Sequence, residues 1–251
     1  MKVSIITVTY NSAQTLADTI RSVAKQKDVE VEFIIVDGKS KDGTLQVIER
    51  HQDQVHRWIS EPDKGLYDAI NKGIRMATGD IVGVLHSDDF YHREDTLAQV
   101  VNSFQEYGVE SVFGDVIFVK PDDLTKTVRY YDSGKFSPEK FKKGIMPAHP
   151  SFFTYRRNYE KYGFYRTDYK IAADFELLVR FLHTHRLSYY HLPVDLLTMR
   201  TGGLSTKSWK SNLIINQEDL RACRENGIHT NYLRLYSRYF SKAMELFPFL
   251  F

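Results

Sequence analysis

The chain has 251 residues, 42% hydrophobic and 26% charged, and its 34 basic and 32 acidic side chains leave a formal net charge of +2. That balance argues against nucleic-acid binding through bulk charge, and the single cysteine, Cys223, rules out an internal disulfide and fits a reducing compartment such as the cytoplasm. The length suits one large α/β domain or a domain with a small appendage, and no apolar stretch approaches the roughly 20 residues of a membrane span.

The first elements alternate. Val3 to Thr9 is an apolar, β-branched strand that begins too close to Met1 to leave room for a signal peptide. A helix follows from Ala13 to Lys27, with Leu16, Ile20 and Val23 on one face. Val31 to Val36 is the second strand, ending at Asp37, and Asp42 is placed to cap the next helix. His56 to Ser60 reads as a short third strand, and Leu66 to Met76 as a helix with Leu66, Ile70 and Ile74 inward. Asp80 to Leu85 is a buried fourth strand. This βαβα order implies a mainly parallel sheet covered on both faces.

The pattern then changes. After a helix from Glu94 to Tyr107, strands at 111–119 and 127–131 flank Pro121-Asp122-Asp123, which predicts an antiparallel hairpin. Ser151 to Tyr155 is a further strand, Ala172 to His185 a helix with Phe175, Leu178, Val179 and Leu182 inward, and Leu187 to Val194 another strand. From Ser208 the chain reads as helical to its end. With no Gly-, Pro- or Ser-rich linker, the division is one domain over 1–205, made of halves 1–91 and 92–205, and a helical extension over 206–251.

Ligands of an open parallel sheet gather beyond the carboxyl ends of its strands. Here those ends carry Thr9-Tyr10-Asn11, Asp37-Gly38 and His86-Ser87-Asp88-Asp89. Asp suits the N–H and hydroxyl donors of a base and a ribose, and Tyr10 can lie flat against a base. Adjacent carboxylates repel unless a cation or a cap offsets them. The chain has neither GxGxxG nor GxxxxGK[ST], so a carboxylate-held metal is the remaining common way to neutralise a diphosphate.

The segments 7–11, 36–44, 63–73, 77–80 and 87–89 together resemble the motifs of the family 2 glycosyltransferases, in that family's order. The resemblance is strong from Lys2 to Tyr91, weaker to Ser205 and absent beyond. It implies a GT-A fold, a nucleoside diphosphate-sugar donor, Mn2+ or Mg2+, and inversion at the anomeric carbon. Carried onto these positions, Asp37 contacts the base, Asp88 the ribose or sugar, and Asp89 the metal. Thr9, Tyr10, Asn11, Asp63 and Asn71 join them on the donor side. His86 stands where many relatives have Asp or Asn. The base that deprotonates the acceptor maps to Asp174, with Glu176 as the other register; a helix cap is the competing reading of Asp174. His149 is similar to an acceptor-side histidine, or is a loop residue held between the prolines Pro147 and Pro150.

Arg200 and Lys207 flank Thr201-Gly202-Gly203-Leu204-Ser205, which suits a lid over the diphosphate or an ordinary loop. The basic, aromatic stretch Tyr232 to Phe251 suits either the inner membrane surface, where lipid-linked glycan acceptors reside, or packing on the domain or on a second copy in a homodimer. The reaction implied is sugar transfer to a hydroxyl of a surface polysaccharide or lipid-linked glycan. The alternatives are a sugar nucleotidyltransferase, opposed by the absence of a glycine-rich loop after the first strand, and a catalytically silent nucleotide-sugar-binding protein.

Overall fold

A computed structural model describes residues 1–202 and 209–239. The first half alternates β1 (Lys2–Thr9), α1 (Leu16–Ala24), β2 (Glu30–Asp37), α2 (Thr44–Arg50), β3 (Arg57–Ser60), α3 (Leu66–Met76) and β4 (Ile81–Val84). The second half runs β5 (Phe90–Tyr91), α4 (Thr96–Tyr107), β6 (Ser111–Lys120), β7 (Asp123–Tyr131), β8 (Phe153–Tyr155), α5 (Arg156–Tyr162), α6 (Ala173–Leu178), β9 (Tyr189–Arg200), α7 (Trp209–Glu225) and α8 (Tyr232–Tyr236).

One mixed sheet runs β3-β2-β1-β4-β8-β6-β9-β5, and β7 pairs with residues 116–120 of β6, beyond the short contact of β6 with β8 at 111–112. β1, β2, β3 and β4 pair in parallel, and β8 is antiparallel to both β4 and β6. The expected hairpin is β6–β7, turning at residues 121–122. β9 is longer than the predicted strand because it pairs in parallel along β6 as far as Arg200. β5 and α5 were not anticipated: each is too short for periodicity to register.

The continuous apolar runs of β1 and β2 follow from burial on both faces. Ile6, Val8, Ile34 and Val36 meet α3 on one side, while Val3, Ile5, Phe33 and Ile35 meet α1 and α4 on the other. α3 lies close on β1 because a side chain at Gly73 would stand 2.3 Å from Ile6 Cγ2. Its inner face differs from the expected one. Leu66 is 40% exposed and Tyr67 is buried in its place, ahead of Ile70 and Ile74. The helix expected over 172–185 is α6 continued by π-helical turns over Val179–Thr184.

α7 and α8 close the molecule. The described part of the tail packs inward: Leu235 is buried, and buried Arg238 pairs with Asp219 and donates to Asn216 Oδ1 (2.8 Å) and the Gly144 carbonyl (3.0 Å). Residues 240–251 of the proposed membrane-facing stretch lie outside the described residues. Among the described residues no helix is long and apolar enough to cross a membrane.

Candidate active site

The carboxyl ends of β1, β2 and β4 form one rim. Thr9 pairs in register with Asp37, and the Ser12 and Ser87 hydroxyls meet at 2.9 Å, joining the first strand end to the fourth. Asn11 adopts a left-handed backbone (φ 53°), which Asn tolerates, and its Oδ1 accepts the Lys41 N–H while its own N–H reaches Ser40 Oγ. Asp37 is fully buried and spent on its own loop. It accepts from the Ser40 amide (3.0 Å), the Ser40 hydroxyl (2.5 Å) and the Ser60 hydroxyl (2.6 Å). Two of these bonds fall on Oδ2 and one on Oδ1, so any base contact of Asp37 is limited to the remaining capacity of Oδ1.

Asp63 occupies the opening above. A side chain at Gly38 would stand 2.5 Å from Asp63 Oδ2 and 3.5 Å from the Tyr10 ring, so glycine makes room for this carboxylate. Asp63 Oδ1 accepts the Gly65 N–H (2.8 Å), Oδ2 has no hydrogen bond among the described residues, and the neighbouring Tyr10 ring is 59% exposed. Thr9 Oγ1 is buried and unpartnered among the described residues.

At the end of β4, the two carboxylates separate. Asp88 is half-buried, whereas Asp89 is 1% exposed with neither oxygen partnered. Burial, then the Asp88 charge, push the Asp89 carboxyl well above the usual carboxylate range. Asp88 is thus the more open of the two carboxylates, while the unspent oxygens of Asp89 remain able to serve a cation. Arg200 has a different task from the diphosphate contact expected of it. It is 9% exposed, donates to the Asp88 carbonyl (2.5 Å) and pairs with Asp18 (2.5 Å), so it braces this loop from below. Of the predicted lid, only Thr201 and Gly202 are described.

The acceptor-side residues meet the same place. His149 Nδ1 lies 3.0 Å from Asp174 Oδ2, and the His149 ring stands edge-on to His86 with centroids 6.0 Å apart. Burial, then His149, lower His86 to about 4, so it is neutral at physiological pH; the charges of Asp88 and Asp174 act in the opposite direction. The Tyr67 hydroxyl donates to the Ile171 carbonyl and lies 3.4 Å from Asp174 Oδ1. Burial and the Asp174 charge push this phenol well up, which keeps it a donor. Glu176, the other candidate base, is buried and locked by Arg180 through two 2.9 Å contacts. Asn71 is 4% exposed, and both ends of its amide hold the Tyr165 backbone (2.7 and 3.0 Å). Asn71 thereby braces Tyr165, which stacks on Tyr67 at 5.8 Å.

A model of glycosyl transferase family 2 matches residues 4–164. The chain belongs to that family. An uncharacterized glycosyltransferase of Mycobacterium tuberculosis is 35% identical over 182 residues, 71% of this chain and 68% of the relative. A PGL/p-HBAD biosynthesis glycosyltransferase of Mycobacterium bovis is 30% identical over 228 residues, 87% and 82% of the two chains. Among solved structures, S. aureus TarS 1–349 superposes with a TM-score of 0.69 at 18% identity, over 96% of this chain and 72% of that one. The Pyrobaculum calidifontis mannosyltransferase PcManGT, in complex with GDP-Man and Mn2+, gives 0.64 at 22% identity, over 87% and 64%. The fold is thus the GT-A fold of the family 2 glycosyltransferases, as expected from the sequence.

Two features of this glycosyltransferase escaped the sequence. Glu218 of α7 accepts the backbone N–H groups of Lys170 (2.7 Å), Ile171 (3.0 Å) and Ala172 (2.9 Å), the segment that delivers Asp174. Glu218→Ala is expected to lower turnover by about 10- to 100-fold through misplacement of Asp174 while leaving nucleotide affinity unchanged. Calorimetry beside steady-state kinetics checks this, and a matching loss of affinity would contradict it. The second feature is Asp115, Asp132 and His191, whose donor atoms lie within 4.8 Å of one another and form the only such metal-competent group among the described residues. Asp115 already accepts from Tyr130 (2.6 Å) and the Ser133 amide (2.8 Å) and faces His191 (2.9 Å), so Asp115 is satisfied as it stands.

Proposed function

We propose that this chain is an inverting glycosyltransferase that moves a sugar from a nucleoside diphosphate-sugar to a hydroxyl of a surface-polysaccharide or lipid-linked glycan. The observation that carries this is the meeting of Asp174 and His149 with His86 and Asp88 at one strand-end rim: a proton acceptor beside an open carboxylate. TarS 1–349 has been solved with UDP-GlcNAc and PcManGT with GDP-Man and Mn2+, which supports a nucleotide-sugar donor. The Mycobacterium bovis relative is named for PGL/p-HBAD biosynthesis, which supports a glycosyltransferase of a biosynthetic pathway.

In this reading the 1–91 half holds the donor, the 92–205 half meets the acceptor, and the 206–251 extension anchors the acceptor half. The residues fit a divalent cation: Asp88 offers a hard, open carboxylate at the rim, beside neutral His86. Mn2+ or Mg2+ held there would neutralise charge on the departing diphosphate. The Asp174–His149 pair deprotonates the acceptor hydroxyl. Peripheral membrane contact is left to residues beyond Tyr239, because Leu235 and Arg238 are committed to the domain.

Asp63 and Tyr10 are the base-facing pair in this assignment. One unengaged carboxylate oxygen suits the single N–H of uracil, with the Tyr10 ring against its face. UDP with Mn2+ is expected to raise the melting temperature, and Asp63→Asn to weaken UDP binding about 10- to 100-fold, the worth of one charge-assisted hydrogen bond. An unchanged UDP dissociation constant in Asp63→Asn would move base recognition elsewhere. A wild-type protein whose melting temperature responds to no nucleoside diphosphate, with or without metal, would remove the donor reading.

A further inference from the structure

The geometry points to a second divalent-cation site, held by protein side chains alone: Asp115, Asp132 and His191 bind one first-row ion, Zn2+ or Mn2+, which pins residues 130–133 against residues 146–148. The site goes beyond the transfer reading, and the identity of the donor has no bearing on it.

Three observations meet here. The first is the donor set. One atom from each side chain lies within 4.8 Å of the other two, and the three residues come from β6, the chain just after β7, and β9. Asp115 Oδ1 and His191 Nε2 stand 2.9 Å apart. A carboxylate oxygen and a ring nitrogen hold that distance around a proton or around a cation, and two donors about 2.1 Å from one ion lie about 3 Å apart at a right angle. Exposure rises along the set, from 6% for the Asp115 side chain through 22% for His191 to 41% for Asp132, so an ion has a path in from solvent.

The second observation is a gap. A side chain at Gly134 would stand 2.8 Å from His191 Cε1 and 3.1 Å from Asp132 Oδ1. Gly134 has no positive φ, so space rather than backbone conformation calls for glycine there. The third is charge. Asp195 of β9 stands in register with Asp115, and its carboxylate makes no hydrogen bond or ion pair among the described residues. Burial and the hydrogen bond to Asp115, then the charges of Asp115, Asp195 and Asp132, push the Tyr130 phenol up. Asp132 has only a loose pair, with Lys135 at 3.7 Å and 84% exposed. Such a pair contributes little, which leaves an excess of negative charge that a divalent ion neutralises.

An imidazole with two carboxylates suits Zn2+ or Mn2+ better than Ca2+ or Mg2+, which take all-oxygen sets. The consequence follows from the bonds around the trio. The Tyr130 hydroxyl donates to Asp115 Oδ2 (2.6 Å) and the Ser133 amide to Asp115 Oδ1 (2.8 Å). On the other side, the Tyr131 hydroxyl donates to the Met146 carbonyl (2.7 Å), and Ser133 Oγ accepts the Ala148 N–H (3.1 Å). Residues 130–133 therefore link the trio to residues 146–148, which lead into His149. An ion that ties Asp132 to β6 and β9 fixes this segment from its exposed side.

Calorimetric titration of Zn2+ and of Mn2+ into the chelator-stripped, nucleotide-free chain tests the site. One equivalent is expected to bind the wild type. Asp132→Asn and His191→Gln are each expected to weaken binding by about 10- to 100-fold, which is the loss seen when a residue that merely orients a ligand is removed. Asp132 is exposed, so its variant reads the site even where His191→Gln fails to fold. Asp88→Asn is expected to bind the ion as the wild type does. A wild type that binds neither metal overturns the proposal, and so does binding that survives in Asp132→Asn and is lost in Asp88→Asn, which puts the ion at the rim. Hydrogen exchange reads the pinning: Zn2+ is expected to slow exchange across residues 130–151 about tenfold in the wild type and not in Asp132→Asn. Exchange that a bound ion leaves unaltered overturns the pinning. Asp132→Asn is expected to bind UDP unchanged, so failure of the cation site leaves glycosyl transfer standing, and failure of nucleotide binding leaves the cation site standing.

Discussion

Asp88→Asn is expected to lower metal-dependent turnover by about 10²- to 10³-fold, the several kcal/mol that a cation contributes to a charged transition state. Asp89→Asn is expected to keep turnover within about tenfold and to raise the melting temperature. The two carboxylates are neighbours in sequence but not in environment. Asp88 is at the rim, held there by the Arg200 bond to its carbonyl. Asp89 is 1% exposed, with both oxygens bare and its carboxyl well above the ordinary range. For a carboxyl raised on folding, the sign runs against neutral pH. Its folded-state stability is full below the unfolded pKa, about 3.9, and is lost as pH rises towards the folded value. With the cation chelated, the fold at pH 7.5 is expected to bear the cost of a buried acid without a hydrogen-bond partner, which the isosteric amide reduces. Turnover against Mn2+ concentration, with calorimetric melting in a chelator, separates the two variants. Loss of Mn2+ dependence in Asp89→Asn with none in Asp88→Asn would return the metal to Asp89.

The first half of the fold was legible in the sequence because its signals are local. The apolar runs of β1 and β2, the periodicity of α3 and the polar strand ends each sit within a few residues, and parallel βαβ topology then brings Thr9, Asp37 and Asp88 to one rim without further information. What local reading missed was the direction of each side chain. Asp37, Asn71 and Arg200 look like ligand contacts because they are polar residues at a strand end, a helix and a lid border. Their partners, Ser60, Tyr165 and Asp18, come from elsewhere in the chain, with Asp18 182 positions from Arg200. Tyr67 was hidden by an adjacent leucine that fits the same helical face almost as well. Of the two candidate registers, Asp174 and Glu176, it is Glu176 that Arg180, one turn further on, engages in an ion pair. Glu176 and Arg180 are spaced i,i+4, so this pairing was readable from sequence. The clamp of Glu218 on residues 170–172 was not, because no periodicity relates α7 to the loop before α6.

Glu32→Gln is expected to cost about 3 kcal/mol of folding stability at pH 7, and the cost is expected to vanish near pH 2. Glu32 is 2% exposed and joins three segments. Its carboxylate accepts from Ser4 of β1 (2.6 Å) and from the amide (2.7 Å) and hydroxyl (2.8 Å) of Thr78, in the turn that feeds β4. Burial pushes the carboxyl up, but these donors and the nearby Lys2 outweigh it and bring it down from 4.5 to about 2. A depressed carboxyl contributes stability that is full above the unfolded value and lost as pH falls through the folded one, so the window is about pH 4.5 to 2. His86 acts in the window above. Its folded value of about 4 lies below the ordinary 6.5, so protonation favours the unfolded chain and stability falls as pH drops from 6.5 to 4. Urea unfolding of the wild type, Glu32→Gln and His86→Asn at pH 7.5, 5 and 3 should therefore show two separable losses. His86→Asn removes the upper one, Glu32→Gln the lower, and a Glu32→Gln deficit that stayed constant from pH 7.5 to 3 would show that the loss comes from packing rather than from the carboxylate's charge. The network matters beyond stability, because β4 ends one residue before the His86 loop, and the Thr78 turn sets where β4 begins.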